Sequence, residues 1–195
     1  PCDQEEEIRK RLNAWEQLDL GERAISGFEH KEAMKERWFK ENPNFQPTWR
    51  GLIRIYFKAQ QKALSDTCMR EYQRNNLGRR DGDTCLLELM PLPCKSMKSW
   101  LYWHDGCTLP YLKSRPIYME KVGKSRAEKI YNMVQEYKPK VVVLYSIDKR
   151  YRKWWEQIAG GLFETHVLSG NPKDQVFVRN NKWTVFVITR HPAQG

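Results

Sequence analysis

The sequence predicts an α/β fold with a mainly parallel sheet and a helical N-terminal part. Residues 1–77 carry apolar side chains at helical spacing. The run from Thr84 to Met90 and the run "KVVVLYS" at 140–146 are typical of short buried strands. Residues 175–189 read as two further strands around the turn-forming pair Asn180-Asn181. Strands that alternate with helices favour an α/β protein whose sheet is largely parallel.

Three amphipathic helices are predicted within the N-terminal part. The first begins at Asp3, whose carboxylate caps it, and keeps helical spacing as far as Leu18. The second covers Glu29 to Lys40 and ends before the prolines of "NPNFQP". The third is capped by Thr48, and its inward stripe comprises Leu52, Ile55, Tyr56, Ala59 and Ala63.

The α/β part is expected to begin at residue 78. Its first strand ends at Pro91, and a loop from Cys94 to about Met119 follows. A helix capped by Ser125 then leads into the strand at 140–146.

A short helix, "KRYRKWWEQIAG", is predicted next, and Gly160-Gly161 ends it. Its aromatic residues share one face, so Trp154 and Trp155 are expected in the core. Its four cations are expected in solvent, where they could hold phosphates: Lys149, Arg150, Arg152 and Lys153.

Length and composition fit one globular domain spanning residues 1–195. The chain is 40% apolar and 30% charged. It shows no signal-peptide pattern and no apolar run near the ~20 residues of a membrane span. We expect a cytoplasmic monomer without membrane contact. The first residue, Pro1, and the end soon after Pro192 suggest a fragment that lacks residues at both ends.

The charge indicates a polyanionic partner. The net charge is +10, and eight tryptophans and nine tyrosines accompany it. Cations that neutralise phosphates, together with aromatic rings that stack on bases, favour DNA as the partner. The alternative is a basic surface that only keeps the protein in solution.

The sequence predicts no metal or other cofactor. The histidines share no spacing with acidic ligands, and the five cysteines are irregularly spaced, as expected for reduced thiols. Neither a phosphate-binding G-x-x-x-x-G-K loop nor a nucleophile elbow is present, which argues against an NTPase or a serine hydrolase.

Polar or loop-forming residues stand at the predicted ends of three strands. These ends are Glu88 to Pro91, Tyr145-Ser146, and Thr189 to Pro192. Ligands of α/β proteins bind at the carboxyl ends of the strands. We therefore expect the functional site there.

The order of these motifs resembles the uracil-DNA glycosylase superfamily. The motifs are "LLELMPLPC", a helix, "KPKVVVLYS" and a last strand that ends in His-Pro, and the resemblance covers residues 84–195. It implies a four-stranded parallel sheet flanked by helices in a three-layer sandwich. It also implies an enzyme that flips a base out of DNA and hydrolyses its N-glycosidic bond without a cofactor.

The resemblance implies roles for individual residues. His191 would donate a hydrogen bond to the departing base, and Arg190 and Pro192 would contact DNA in the minor groove. His191-Pro192-Ala193 matches the family's His-Pro-Ser motif with alanine in place of serine. The alternative is that His191 only bonds to backbone at the strand end. The loop after Pro91 would contact the DNA backbone through Ser96, Lys98 and Ser99.

The base would bind between Glu88, Met90, Pro91 and Ser146. Glu88 stands where many family members have asparagine. As an acceptor it would read an amino group, as on cytosine. Alternatively, Glu88 pairs with Arg190, or the alignment is displaced by one residue.

Three functions remain open from the sequence. The first is a DNA glycosylase, and the second is a member of the same fold that binds nucleic acid without cutting it. The third is a nucleotide-metabolising α/β enzyme. The family's first strand ends in a water-positioning motif, and no such strand precedes Pro1 in this sequence. Whether the motif lies upstream, with Pro1 as its proline, stays open from the sequence.

Overall fold

The protein has a mixed α/β fold. A computed structural model describes residues 38–79, 82–92, 100–103, 107–169, 171 and 174–192. The helices of this part are α1 (Pro47–Ala59), α2 (Asp66–Asn75), α3 (Arg115–Tyr137) and α4 (Lys149–Ala159), with a 3₁₀ turn at Pro110–Leu112. The strands are β1 (Val141–Tyr145), β2 (Glu164–Val167), β3 (Gln175–Asn180) and β4 (Val185–Thr189).

The four strands form one sheet in the order β1-β4-β3-β2. Only β1 and β4 are parallel, whereas β3 pairs with β4, and β2 with β3, in antiparallel fashion. The prediction of a mainly parallel sheet is therefore wrong. A tight turn joins β3 to β4, and within it the Asn181 N–H donates to the Thr184 carbonyl oxygen. Neighbouring strands that are joined by so short a turn pair in antiparallel fashion.

The segment from Thr84 to Met90 was expected to be a strand, and this expectation is wrong. The segment has no ladder partner among the described residues. Side chains of α3 satisfy its backbone instead. Arg126 donates to the carbonyl oxygen of Glu88, and the hydroxyl of Tyr118 accepts from the N–H of Leu92. The segment still adds Leu89 to the main core.

The main core lies between one face of the sheet and helices α3 and α4. Its buried residues include Leu144, Phe186 and Ile188 from the strands. Trp154 and Trp155 are buried there, as predicted from their spacing on α4. This packing holds β1 and β4 in fixed register beneath the two helices.

Helix α3 begins at Arg115, ten residues before the predicted cap at Ser125. Pro116 lies in its first turn, where a backbone N–H has no partner within the helix, so the N–H that proline lacks is not required. The predicted loop to Met119 is correspondingly too long. The helix predicted from Asp3, and most of the one predicted from Glu29, lie outside the described residues.

Helices α1 and α2 form a separate small core. Gln46 caps α1 in place of the predicted Thr48. The buried face carries Ile53 and Phe57, whereas Ile55 of the predicted stripe is 40% exposed. The helix ends at Ala59, so Ala63 is not part of it. The correct stripe is displaced by one to two residues from the predicted one.

Candidate functional site

The ends of β1 and β4 lie side by side. Because these strands are parallel, Tyr145 stands opposite Thr189, and both chains leave the sheet at the same edge. The ring of His191 contacts the ring of Tyr145 edge to face, with centroids 5.5 Å apart. The parallel pairing thus brings His191 to the second of the three predicted strand ends.

Glu88 lies on the segment before α3, and its backbone is held by that helix. Arg126, which is 5% exposed, donates from Nε and Nη2 to the carbonyl oxygen of Glu88, at 3.1 and 2.8 Å. This buried fork fixes the backbone of Glu88 against α3. The negative charge of the Glu88 carboxylate acts on the Tyr145 phenol, so the two groups lie within electrostatic range of each other.

Burial raises the pKa of both acids. For Glu88 the loss of hydration is the larger effect, and the Arg126 charge opposes it, so its pKa rises to about 7. For Tyr145, burial comes first and the Glu88 charge second, and both raise the pKa. Glu88 is nevertheless an exposed residue.

Neither the Glu88 carboxyl nor the Tyr145 hydroxyl has a hydrogen-bond partner among the residues that the structure describes. Glu88 is an exposed residue, and the Tyr145 hydroxyl is not among the buried side-chain atoms that lack a partner, so both groups are available to water or to a ligand. The ends of β1 and β4 therefore carry polar groups that a ligand could use.

Three other residues predicted to bind the base have structural roles. Pro91 is buried, and Met90 packs between two hydrophobic clusters, close to Gly123 of α3. The Ser146 carbonyl accepts from Trp155 Nε1 at 2.9 Å, and its hydroxyl accepts from the Asp148 N–H at 3.3 Å. Ser146 thus helps to position the start of α4, and Met90 and Pro91 contribute to packing.

The predicted DNA-contacting residues are only partly brought together. Arg190 is exposed next to His191, and Lys149 is exposed at the start of α4. Arg150 is held by Asp148, whose pKa the Arg150 hydrogen bonds lower. The predicted contacts Ser96, Lys98 and Ser99 lie outside the described residues.

Gly51 of α1 is a site residue that the sequence analysis missed. A Cβ at this position would lie 2.4 Å from Pro192 Cβ and 3.0 Å from the Pro192 carbonyl oxygen. Helix α1 therefore supports the turn that carries His191. The sequence did contain a signal, which is a glycine within an amphipathic helix. Because glycine in a helix costs about 1 kcal/mol of stability relative to alanine, its presence there indicates that another segment packs closely against the helix.

The described residues contain no group of three or more histidine, cysteine or acidic side chains that could hold a metal ion. No helix within the described ranges is long and apolar enough to span a membrane.

Comparison with known proteins does not identify the chain. No protein-family model, no curated protein sequence and no solved structure matches it.

Proposed function

We propose that the protein binds DNA and hydrolyses the N-glycosidic bond of a base flipped into the site formed by Glu88, Tyr145 and His191. One observation carries this proposal. The only parallel strand pair of the described sheet ends in two contacting aromatic rings, those of Tyr145 and His191. The phenol of Tyr145 and the Glu88 carboxyl that acts on it electrostatically have no hydrogen-bond partner among the described residues.

The site has the groups that a flipped base requires. Enzymes that act on extruded bases stack them on aromatic or apolar side chains and read their edges with hydrogen bonds. Tyr145 and His191 supply rings, and Glu88 supplies a group for the edge. In the hydrolysis, the oxygen of a water molecule bonds to C1′ of the sugar while the C1′–N bond breaks and its electron pair leaves with the base. The departing ring thus gains negative charge, and a donor held at that ring lowers the barrier. His191 is the residue to which we assign this donation.

Position supports the assignment of His191. The residue follows the end of β4 and is held between two elements. Tyr145 contacts its ring from β1, and Gly51 of α1 lies against the next residue, Pro192. A donor fixed in this way does not have to reorient during the reaction. Such preorganised donors are a main source of electrostatic stabilisation of transition states in enzymes.

Charge supports a DNA substrate. The chain carries +10, and the exposed Arg190 lies beside the site. Each phosphate neutralised by a cation releases a counterion, so affinity for DNA should fall steeply as salt is raised. An enzyme of nucleotide metabolism, whose substrate carries few phosphates, would show a much weaker dependence.

The proposal is tested with duplex and single-stranded oligonucleotides that carry uracil, hypoxanthine or 5-hydroxymethyluracil. Abasic sites are scored after incubation with the wild type, with His191→Ala, and with His166→Ala as a matched control on the exposed edge strand β2. We expect excision by the wild type and the control and a loss of about 100-fold or more in His191→Ala.

Two outcomes would count against the proposal. Salt-dependent DNA binding without excision of any base would show a nucleic-acid-binding protein without catalysis. Absence of DNA binding would exclude both nucleic-acid functions and favour the nucleotide-metabolising enzyme.

A further inference from the structure

Strand β2 leaves one edge of the sheet open. It is the last strand in the order β1-β4-β3-β2, and no described residue pairs with its outer side. All four of its residues are exposed, and the flanking Leu162 and Leu168 are 74% and 69% exposed. Sheet edges are often protected against other chains by lysine, proline or a bulge. Strand β2 contains neither lysine nor proline, and its register with β3 is unbroken.

The hydrogen bonds to β3 identify the backbone groups of β2 that point outward. The N–H of Leu168 donates to the carbonyl oxygen of Asp174 at 2.8 Å, and the two strands keep one register from there back to Glu164. In an antiparallel ladder, hydrogen-bonded pairs alternate with pairs whose backbone groups point to the other side. Glu164 and His166 therefore bond to β3, whereas the N–H and C=O groups of Thr165 point to the open edge.

We propose that two copies of the chain associate by antiparallel pairing of their β2 strands, with the two-fold axis at Thr165. In this arrangement the outward N–H and C=O of Thr165 bond to those of the partner subunit's Thr165. The pairing joins the two four-stranded sheets into one continuous sheet.

The side chains are complementary in this register. Glu164 stands directly opposite the partner subunit's His166, and the axis repeats this pair on its other side. Such cross-strand pairs stabilise a sheet, and the attraction between acid and imidazole is strongest when the imidazole is protonated. Within one chain, Glu164 Oε2 lies 3.9 Å from His166 Nε2, so acids and imidazoles alternate around the axis. At each end, the exposed Leu162 comes opposite the partner subunit's Leu168.

The neighbouring registers lack this complementarity. Outward backbone groups pair only with outward groups, so the nearest alternatives place the axis at Glu164 or at His166. The first puts two glutamates directly opposite each other, and like charges in that position are destabilising. The second puts imidazole opposite imidazole and leaves Glu164 opposite Leu168 of the partner subunit. The charges therefore favour the axis at Thr165.

This inference goes beyond the proposed function and does not depend on it. Strand β3 lies between β2 and β4, so Tyr145 and His191 take no part in the pairing. The proposal replaces the sequence-based expectation of a monomer. Because two short edge strands bury less area than a standard interface, the association should be weak, with dimers forming at micromolar rather than nanomolar concentrations of protein.

The test is sedimentation velocity of the full chain without DNA, at concentrations from about 1 µM to about 500 µM. We expect the wild type to shift from monomer to dimer as the concentration rises. Thr165→Pro removes the outward N–H at the axis but none of the N–H groups that bond to β3, so its association constant should fall about 10-fold or more. Thr165→Val keeps that N–H and should associate like the wild type. Far-UV circular dichroism checks that each variant keeps the sheet.

Exchange of charges tests the register without a change to the backbone. His166→Glu places an acid opposite the partner subunit's Glu164 in both pairs, so association should weaken about 10-fold. Adding Glu164→Lys to this variant puts a lysine opposite each new acid, so association should return to the wild-type strength or exceed it. With the axis at Glu164 or at His166, the double variant would still hold like charges opposite each other and would not recover.

Two results would overturn the proposal and leave the proposed function standing. A wild type that stays monomeric at every concentration would leave the β2 edge to a strand of a different protein. A dimer that persists unchanged in folded Thr165→Pro, or a charge exchange that does not restore association, would contradict pairing of β2 at Thr165.

Discussion

Replacing Gly51 with alanine should displace His191 while changing stability little. The added Cβ would lie 2.4 Å from Pro192 Cβ, whereas ordinary contacts begin at 3.4 Å. Two of the three nearest Pro192 atoms, Cα and the carbonyl oxygen, belong to the backbone, so no side-chain rotation can relieve the contact. The His191-Pro192 turn must therefore move away from α1 by about 1 Å.

The effects on stability and on activity can be separated by their size. Alanine gains about 1 kcal/mol over glycine within a helix, whereas overpacking costs about 1–3 kcal/mol, so the free energy of unfolding should fall by about 0–2 kcal/mol. A misplacement of about 1 Å at a catalytic group can cost about 100-fold in rate. We expect a large loss of uracil excision in a protein that remains folded.

The assay is single-turnover excision of uracil, combined with urea unfolding of the same samples. Arg54→Ala, at an exposed position of the same helix, serves as the matched control and should excise like the wild type. Pro192→Gly in the Gly51→Ala background removes the Cβ that collides, so it should recover part of the lost rate, beyond what the two single changes predict. A Gly51→Ala variant with wild-type excision and raised stability would refute the contact between α1 and the His191 turn.

Three further predictions concern packing and protonation. Gly123→Ala should destabilise the protein by about 0–2 kcal/mol in urea, because the new methyl would lie 2.8 Å from Met90 Cε and from Trp154 Cε2 and this overpacking outweighs the helix preference of alanine; a gain in stability would contradict this. Gln73→Leu should cost about 2–4 kcal/mol, since the buried amide makes three hydrogen bonds to backbone, and a melting temperature within 1–2 °C of the wild type would argue against that role. As the pH rises from about 4.5 to 7, the wild type should lose stability relative to Glu88→Gln, because the folded state keeps a proton that the unfolded chain releases. A difference that is constant with pH would show that the Glu88 pKa is not raised.

The sequence predicted the elements with the clearest local patterns. Strand β1 is a run of apolar residues, β3 and β4 flank a turn-forming pair, and α4 has its tryptophans on one face. Strand β2 was missed because all four of its residues are exposed at the sheet edge, so it carries no apolar signal.

Strand direction could not be predicted from the pattern, because an apolar run reads the same in a parallel and in an antiparallel ladder. The segment at 84–90 was mistaken for a strand for a related reason. Its extended backbone is held by Arg126 and Tyr118 of α3, which lie 26 to 38 residues further along the chain. The sequence of the segment itself does not indicate partners that lie so far along the chain.

The site was predicted in part. Glu88 and His191 were chosen because polar residues stood at predicted strand ends. The structure places His191 in contact with Tyr145, and Glu88 within electrostatic range of it. Arg126 and Gly51 were not identified, since their roles depend on helices packing against distant segments. Residues that position a site are harder to predict than residues that line it.

Photo-crosslinking tests most directly whether a base binds at the ends of β1 and β4. Duplex DNA carrying 5-iodouracil is irradiated with the protein, and the crosslinked residue is mapped by mass spectrometry, so the result does not depend on catalysis. We predict a crosslink at Tyr145 or His191 that unlabelled uracil DNA competes away. A crosslink at Trp183, which is 55% exposed near the opposite end of β4, with Tyr145 and His191 unmodified, would contradict the central claim.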